Sequence, residues 1–163
     1  SAVVKRQHNP YFDRYTNALR TRYGMKVIDL KYGVKDIISH LKNNELVALI
    51  CDQNAGKSGI ILDFLGYPAS HWKGPVKISL RYHIPIVPAF ALRKPDAKIQ
   101  ICFEPMIYYP ELQDNEEGYI FLWKQLNQVI ESYIHRYPEQ WFWVHNRWKA
   151  TYAMKDNSIK NRK

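Results

Sequence analysis

Short apolar runs alternate with segments of helical period along most of this chain, and that alternation constrains the fold more than any other feature. Strand-length apolar runs occupy residues 25–30, 46–51, 59–65, 84–92 and 98–104. Between them, Phe12, Tyr15, Leu19 and Tyr23 repeat at helical spacing, as do Val34, Ile37, Ile38 and Leu41. Gly74-Pro75 opens a third helical segment, and 116–137 forms the longest, with Ile120, Trp123, Leu126, Asn127, Ile130 and Ile134 on its inner face. Elements that alternate in this way predict an α/β fold, a mixed sheet flanked by helices. The 163 residues fit one domain, placed over 1–152, with a basic, flexible tail over 153–163.

Hydrophobic content of 46% and charged content of 24% exclude a disordered chain. No window reaches the roughly 18 consecutive apolar residues of a membrane span. Cys51 and Cys102 lie in apolar runs without metal-ligand spacing, so they read as buried thiols in a reducing compartment. No metal cluster is predicted. The net charge of +9 and pI near 9.5 call for an anionic partner: nucleic acid, an anionic membrane surface, a phosphorylated substrate or an acidic protein. Aromatic residues at 14% suit both a membrane interface and single-stranded nucleic acid.

The chemistry-bearing stretches lie at strand ends and near the C-terminus. The run 46–50 delivers Asp52 and Gln53 onto a turn, where polar groups are costly unless paired or used. They serve either as anchors for a polar or basic group or as a carboxylate and amide capping the turn. Arg6, Arg20 and Arg22 either receive phosphates or line a solvated face. His145, Arg147 and Lys149 form either a ligand-facing group or a solvated basic edge, and Trp141 and Trp143 read as core. Gly56-Lys57-Ser58 imitates the end of a phosphate-binding loop, but Cys51 stands where that loop needs glycine, and a strand pattern follows where it needs a helix. Two His-x4-acid spacings, His8 with Asp13 and His40 with Glu45, match a base and its orienting carboxylate. Neither lies in a glycine-rich turn at a strand end, so both histidines read as surface or capping residues.

Taken in order, these stretches resemble the bacterial lipid A biosynthesis acyltransferases, the lauroyl and myristoyl transferases. The resemblance rests on Asn9-Pro10-Tyr11-Phe12-Asp13-Arg14 with Arg20-x-Arg22-x-Gly24, then Asp52-Gln53-Asn54-Ala55-Gly56 and Phe64-x-Gly66-x-Pro68-Ala69. It continues through Val87-Pro88 with Arg93, Glu104-Pro105 and Pro138-Glu139-Gln140-Trp141-x-Trp143-x-His145-x-Arg147-x-Lys149, and covers about residues 3–150.

The resemblance implies the distal part of a glycerol-phosphate-acyltransferase-like domain. It implies an enzyme at the cytoplasmic face of the inner membrane that moves a fatty acyl chain from acyl carrier protein to a hydroxyl of a phosphorylated glucosamine lipid, without metal or cofactor. Arg20 or Arg22, with Arg6 as a third candidate, would then face the anionic headgroup. Asp52 and Gln53 would shape the site, and His145, Arg147 and Lys149 would join the substrate-binding set. The family's His-x4-acid segment precedes its Asn-Pro motif, and the eight residues before Asn9 do not contain it. No catalytic residue is therefore assigned in this chain, and the chain is expected to be inactive alone. It reads as a distal piece of a longer enzyme, or as a natural relative that binds without catalysis. An open sheet edge would favour a homodimer. A related glycolipid, such as a phosphatidylinositol mannoside, is an alternative acceptor. A nucleic-acid-binding module is the alternative from another class, weakened by the absence of an aromatic RNP-type strand or Gly-x-x-Gly clamp.

Overall fold

A computed structural model describes residues 1–31 and 33–149. The tail expected over 153–163 lies outside the described residues. The chain forms two compact units, Ser1–Ile50 and a second that begins at Cys51.

The first unit is a small β-α-β arrangement. Strand β1 (Ala2–Val4) lies parallel to β2 (Val27–Asp29), with Val3 opposite Ile28. Helix α1 (Pro10–Thr21) connects them. Asn9 caps this helix, its side-chain oxygen accepting from the backbone N–H groups of Tyr11 and Phe12, and Pro10 sits where a missing N–H costs nothing. Helix α2 (Gly33–Lys42) ends at Asn44, whose φ of 56° is the left-handed conformation that asparagine tolerates. Among the described residues, Ile28 and Ile37 are the buried hydrophobic side chains of this unit.

The second unit has its own core. Hairpin β3 (Ile60–Phe64) and β4 (Tyr67–His71) turns through Leu65-Gly66, both with positive φ, and Phe64 faces Tyr67 across it. Helix α3 (Lys73–Tyr82) and helix α4 (Glu116–Arg136) pack with this hairpin. Ile60, Val76, Leu80, Leu122, Trp123 and Leu126 make the main cluster. Gly118 lets α4 approach closely, since a Cβ there would stand 2.4 Å from the Gln113 carbonyl and 2.7 Å from Leu80. Asn115 caps α4 by accepting from the Gly118 N–H. A second hairpin, β5 (Ala89–Arg93) and β6 (Ile99–Phe103), lays Phe90 flat on Tyr133 of α4, with ring centroids 3.7 Å apart.

The mixed α/β class holds, but the expected single mixed sheet does not. Among the described residues the strands form one parallel pair and two antiparallel hairpins. Three local causes separate them. The run 46–51 is not a buried strand: only Ala48 bridges to Ala2, and Leu46 is 88% exposed. The run 84–92 is shortened to β5 by Pro85 and Pro88, which cannot donate to a ladder, leaving a lone bridge from Ile86 to Ile107. Strand β4 is hidden in the sequence by Pro68, which stands opposite Asp63.

Candidate functional site

In the second unit the segment 51–59 and the turn 145–149 are fastened together by polar contacts. Asn54 is the central clasp. Its backbone N–H donates to Nε2 of His145 at 2.9 Å, and its side-chain Nδ2 donates to the Arg147 carbonyl at 3.1 Å. The remaining amide oxygen accepts from the Gly56 N–H at 2.6 Å, closing a local turn. An accepting Nε2 means a neutral His145 ring with its proton on Nδ1.

Arg147 is 2% exposed. Its Nη1 donates to the Ser70 carbonyl at 2.6 Å, and its Cζ sits 4.8 Å from the centroid of the Phe64 ring. Burial pulls the guanidinium down to about 10, while the nearby Asp52 carboxylate works against that fall, so it remains charged at neutral pH. Asp52 Oδ1 and Arg147 Nε are both buried without a hydrogen-bond partner. A buried guanidinium is tolerable only with a carboxylate, a carbonyl and an aromatic face around it, and Asp52, Ser70 and Phe64 supply those.

Ser70 extends the clasp. Its hydroxyl donates to the Gly56 carbonyl at 2.6 Å, and its own carbonyl also accepts from Ala55 at 3.3 Å. Gly59 is required here by space: a Cβ would stand 2.0 Å from Ser70 Oγ and 2.7 Å from the His71 carbonyl. His71, fully buried, has its Nδ1 3.0 Å from the Ala69 carbonyl and its ring against Trp123, centroids 4.8 Å apart. Burial first, then the Arg147 charge, push His71 down to about 4. Its Nε2 and the Asn127 Oδ1 are buried without hydrogen-bond partners. Burial likewise pushes the Cys51 thiol up to about 12, which makes it inert as a nucleophile.

The predicted site residues therefore divide. The second unit brings Asp52, Gln53, His145, Arg147 and Lys149 to one clasped region; Gln53 and Lys149 are exposed there, whereas the donors of Arg147 turn inward. Trp141 packs beside Phe64, but Trp143 lies outside the core and donates to the Pro138 carbonyl at 2.7 Å. Arg6, Arg20 and Arg22 belong to the first unit. Arg6 pairs with Asp29 at 3.4 Å, Arg20 donates to Asn17 Oδ1 at 2.9 Å, and Arg22 lies 5.6 Å from the Tyr23 ring centroid. In that unit His40 Nδ1 also meets Glu45 Oε2 at 2.7 Å, with Lys26 on the other carboxylate oxygen at 2.6 Å. Those two partners hold Glu45 down at about 2. Because the Glu45 N–H returns to the His40 carbonyl at 3.0 Å, this pair closes the end of α2.

Sequence reasoning missed Ser70 and His71; it placed Asn127 on the inner face of the longest helix and quoted Asn54, both without a role. For Asn54 the signal was present, an amide next to Ala55-Gly56 at a predicted turn. Ser70 and His71 gave none, because Pro68 disguised their strand.

A crevice of about 80 Å³ lies between Phe90, Leu92, Tyr133 and Trp141. Ligand pockets run to roughly 300–1,000 Å³, so this one does not by itself house a lipid. Among the described residues no three His, Cys, Asp or Glu side chains group as metal ligands, and no helix is long and apolar enough to cross a membrane.

The clasped segments are the same ones that carry the sequence resemblance, and the family follows from a match along their whole span. The chain belongs to the bacterial lipid A biosynthesis acyltransferase family, whose model matches residues 1–150. It is 29% identical over 151 residues to the lipid A biosynthesis lauroyltransferase of Escherichia coli K12, covering 91% of this chain and 48% of that protein. It is 25% identical over 146 residues to the lipid A biosynthesis acyltransferase of Haemophilus influenzae Rd, covering 88% of this chain and 44% of that protein. The chain thus spans about half the length of the curated relatives it matches.

Proposed function

We propose that this chain supplies the acceptor-binding part of an acyltransferase of lipid A biosynthesis, within a glycerol-phosphate-acyltransferase-like domain. The reaction is transfer of a fatty acyl chain from acyl carrier protein to a hydroxyl of a phosphorylated glucosamine lipid, at the cytoplasmic face of the inner membrane. Within the second unit, exposed Gln53 and Lys149 contact the acceptor; in the first unit, taken by itself, Arg20 or Arg22 is the proposed contact for an anionic headgroup. Asp52, His145 and Arg147 hold that surface in place. The chain carries no assigned base for the hydroxyl proton and does not turn over alone. The single observation that supports this reading most is the joining of its two most distinctive motifs, residues 52–56 and 138–149, through Asn54.

The test is binding of a phosphorylated glucosamine disaccharide lipid in detergent micelles, followed by titration calorimetry. Lys149→Ala and Gln53→Ala should each weaken binding about five- to tenfold, the scale of one exposed charge-assisted hydrogen bond. Equal affinity for the dephosphorylated lipid would remove the reading.

A further inference from the structure

Helix α1 is amphipathic the wrong way round. On an ordinary surface helix the apolar stripe faces the protein and the polar face meets water. Here Asp13, Thr16, Asn17 and Arg20 form the less exposed face. They are joined into a polar ladder: Asn17 Nδ2 donates to Asp13 Oδ2 at 3.2 Å, and Arg20 Nη1 donates to Asn17 Oδ1 at 2.9 Å. Asp13 also accepts from the Gln7 N–H at 2.8 Å. The opposite arc carries Tyr11, Phe12, Tyr15 and Leu19, and the helix has no buried residue at all. Tyr11 is 80% exposed, and Tyr23, two residues beyond the helix, is 87% exposed.

That arc has the chemistry of a membrane interface. Two of its three rings are tyrosines, which put an apolar body below a polar tip at headgroup level. The flanking charge is mainly of one sign. Arg6 and Lys26 are paired with Asp29 and Glu45, but Lys5, Arg14, Arg20 and Arg22 face only one carboxylate within residues 5–26, Asp13, which is already engaged by Gln7 and Asn17. A helix with aromatic and leucine residues on one side and arginines beside them matches the interfacial class, which lies in the plane of an anionic bilayer. We propose that α1 lies on an anionic phospholipid surface with its Tyr11, Tyr15 and Leu19 face inserted at headgroup depth. This deepens the proposed function and rests on its membrane-face setting, naming the element that meets the lipid surface.

The experiment is flotation of the purified chain with vesicles of phosphatidylcholine alone or with one-third phosphatidylglycerol. The parent chain should float with the anionic vesicles, and at 0.5 M salt or on pure phosphatidylcholine the bound fraction should fall by about tenfold. The triple substitution Tyr11→Ser, Tyr15→Ser, Leu19→Ser and the single substitution Arg14→Glu should each reduce flotation by about fivefold or more. Every substituted side chain is exposed, and circular dichroism checks that each variant folds. Failure of the parent to float, or flotation unchanged in both variants, would overturn the proposal. So would a parent chain that is dimeric on light scattering, becomes monomeric in the triple variant and does not float, because a second copy would then cover α1. Loss of glycolipid binding in Lys149→Ala with flotation intact would separate this helix from the proposed acceptor site.

Discussion

Arg147 is the residue on which the candidate site turns. Removing it leaves the Ser70 carbonyl with only the longer bond from Ala55 and the Asp52 carboxylate without its counter-charge. Arg147→Met should cost on the order of 3 kcal/mol, read as a lowered urea midpoint. Adding Asp52→Asn should restore part of that loss, and strict additivity of the two would contradict their coupling. Gly59→Ala, whose Cβ would collide with Ser70 and a backbone carbonyl, should cost about 1–3 kcal/mol. His71 gives the pH dependence. Unfolded, it takes up its proton near 6.5, but folded only near 4. The unfolded chain therefore binds more protons between those values, and stability falls as pH drops from 6.5 to 4. The contribution, on the order of 3 kcal/mol, is present in full above pH 6.5. His71→Gln should flatten the melting-temperature profile in that window relative to the parent, and parallel profiles would contradict the assignment. Asp52 was legible as a candidate because an acid ending an apolar run is costly unless it is paired. That Arg147 points inward was not legible, because one-dimensional spacing cannot tell a surface cation from one stacked on Phe64.

Among the elements, the helices were readable and the strands only partly so. Helical periodicity, Asn9-Pro10 at the start of α1 and Asn43-Asn44 at the end of α2 carry direct local physics. Strand length depends on neighbours, which no local pattern contains. Prolines 85 and 88 cut one run short, and Leu46 and Ile50 stay exposed where burial was expected. Glutamine 140 illustrates how the chain handles an edge: its amide both donates to and accepts from the backbone of Arg93 at the end of β5, replacing a strand neighbour. Helix α3 offers a clean element-level prediction. It ends on His83 with a φ of 51°, a left-handed conformation that costs an L-residue about 1 kcal/mol and glycine almost nothing. His83→Gly should therefore raise the urea midpoint by the equivalent of about 1 kcal/mol; a lower midpoint would mean the imidazole itself supports the turn.

For the molecule as a whole, the family was legible from six ordered motifs, while the separation of the described chain into two compact units was not. Motif order survives whatever the spatial division, so it carries ancestry without geometry. Part of the +9 charge has a structural use: Arg147 is internal, so the count overstates what is exposed to an anionic partner. The central proposal is that this chain binds the acceptor and, with no residue assigned as base for its proton, does not turn over by itself. The measurement is transfer of labelled laurate from acyl carrier protein to a phosphorylated glucosamine disaccharide lipid by the purified chain. The account predicts no transfer above the protein-free rate under conditions where the glycolipid is bound. Turnover that disappears in His8→Ala or His40→Ala would contradict it.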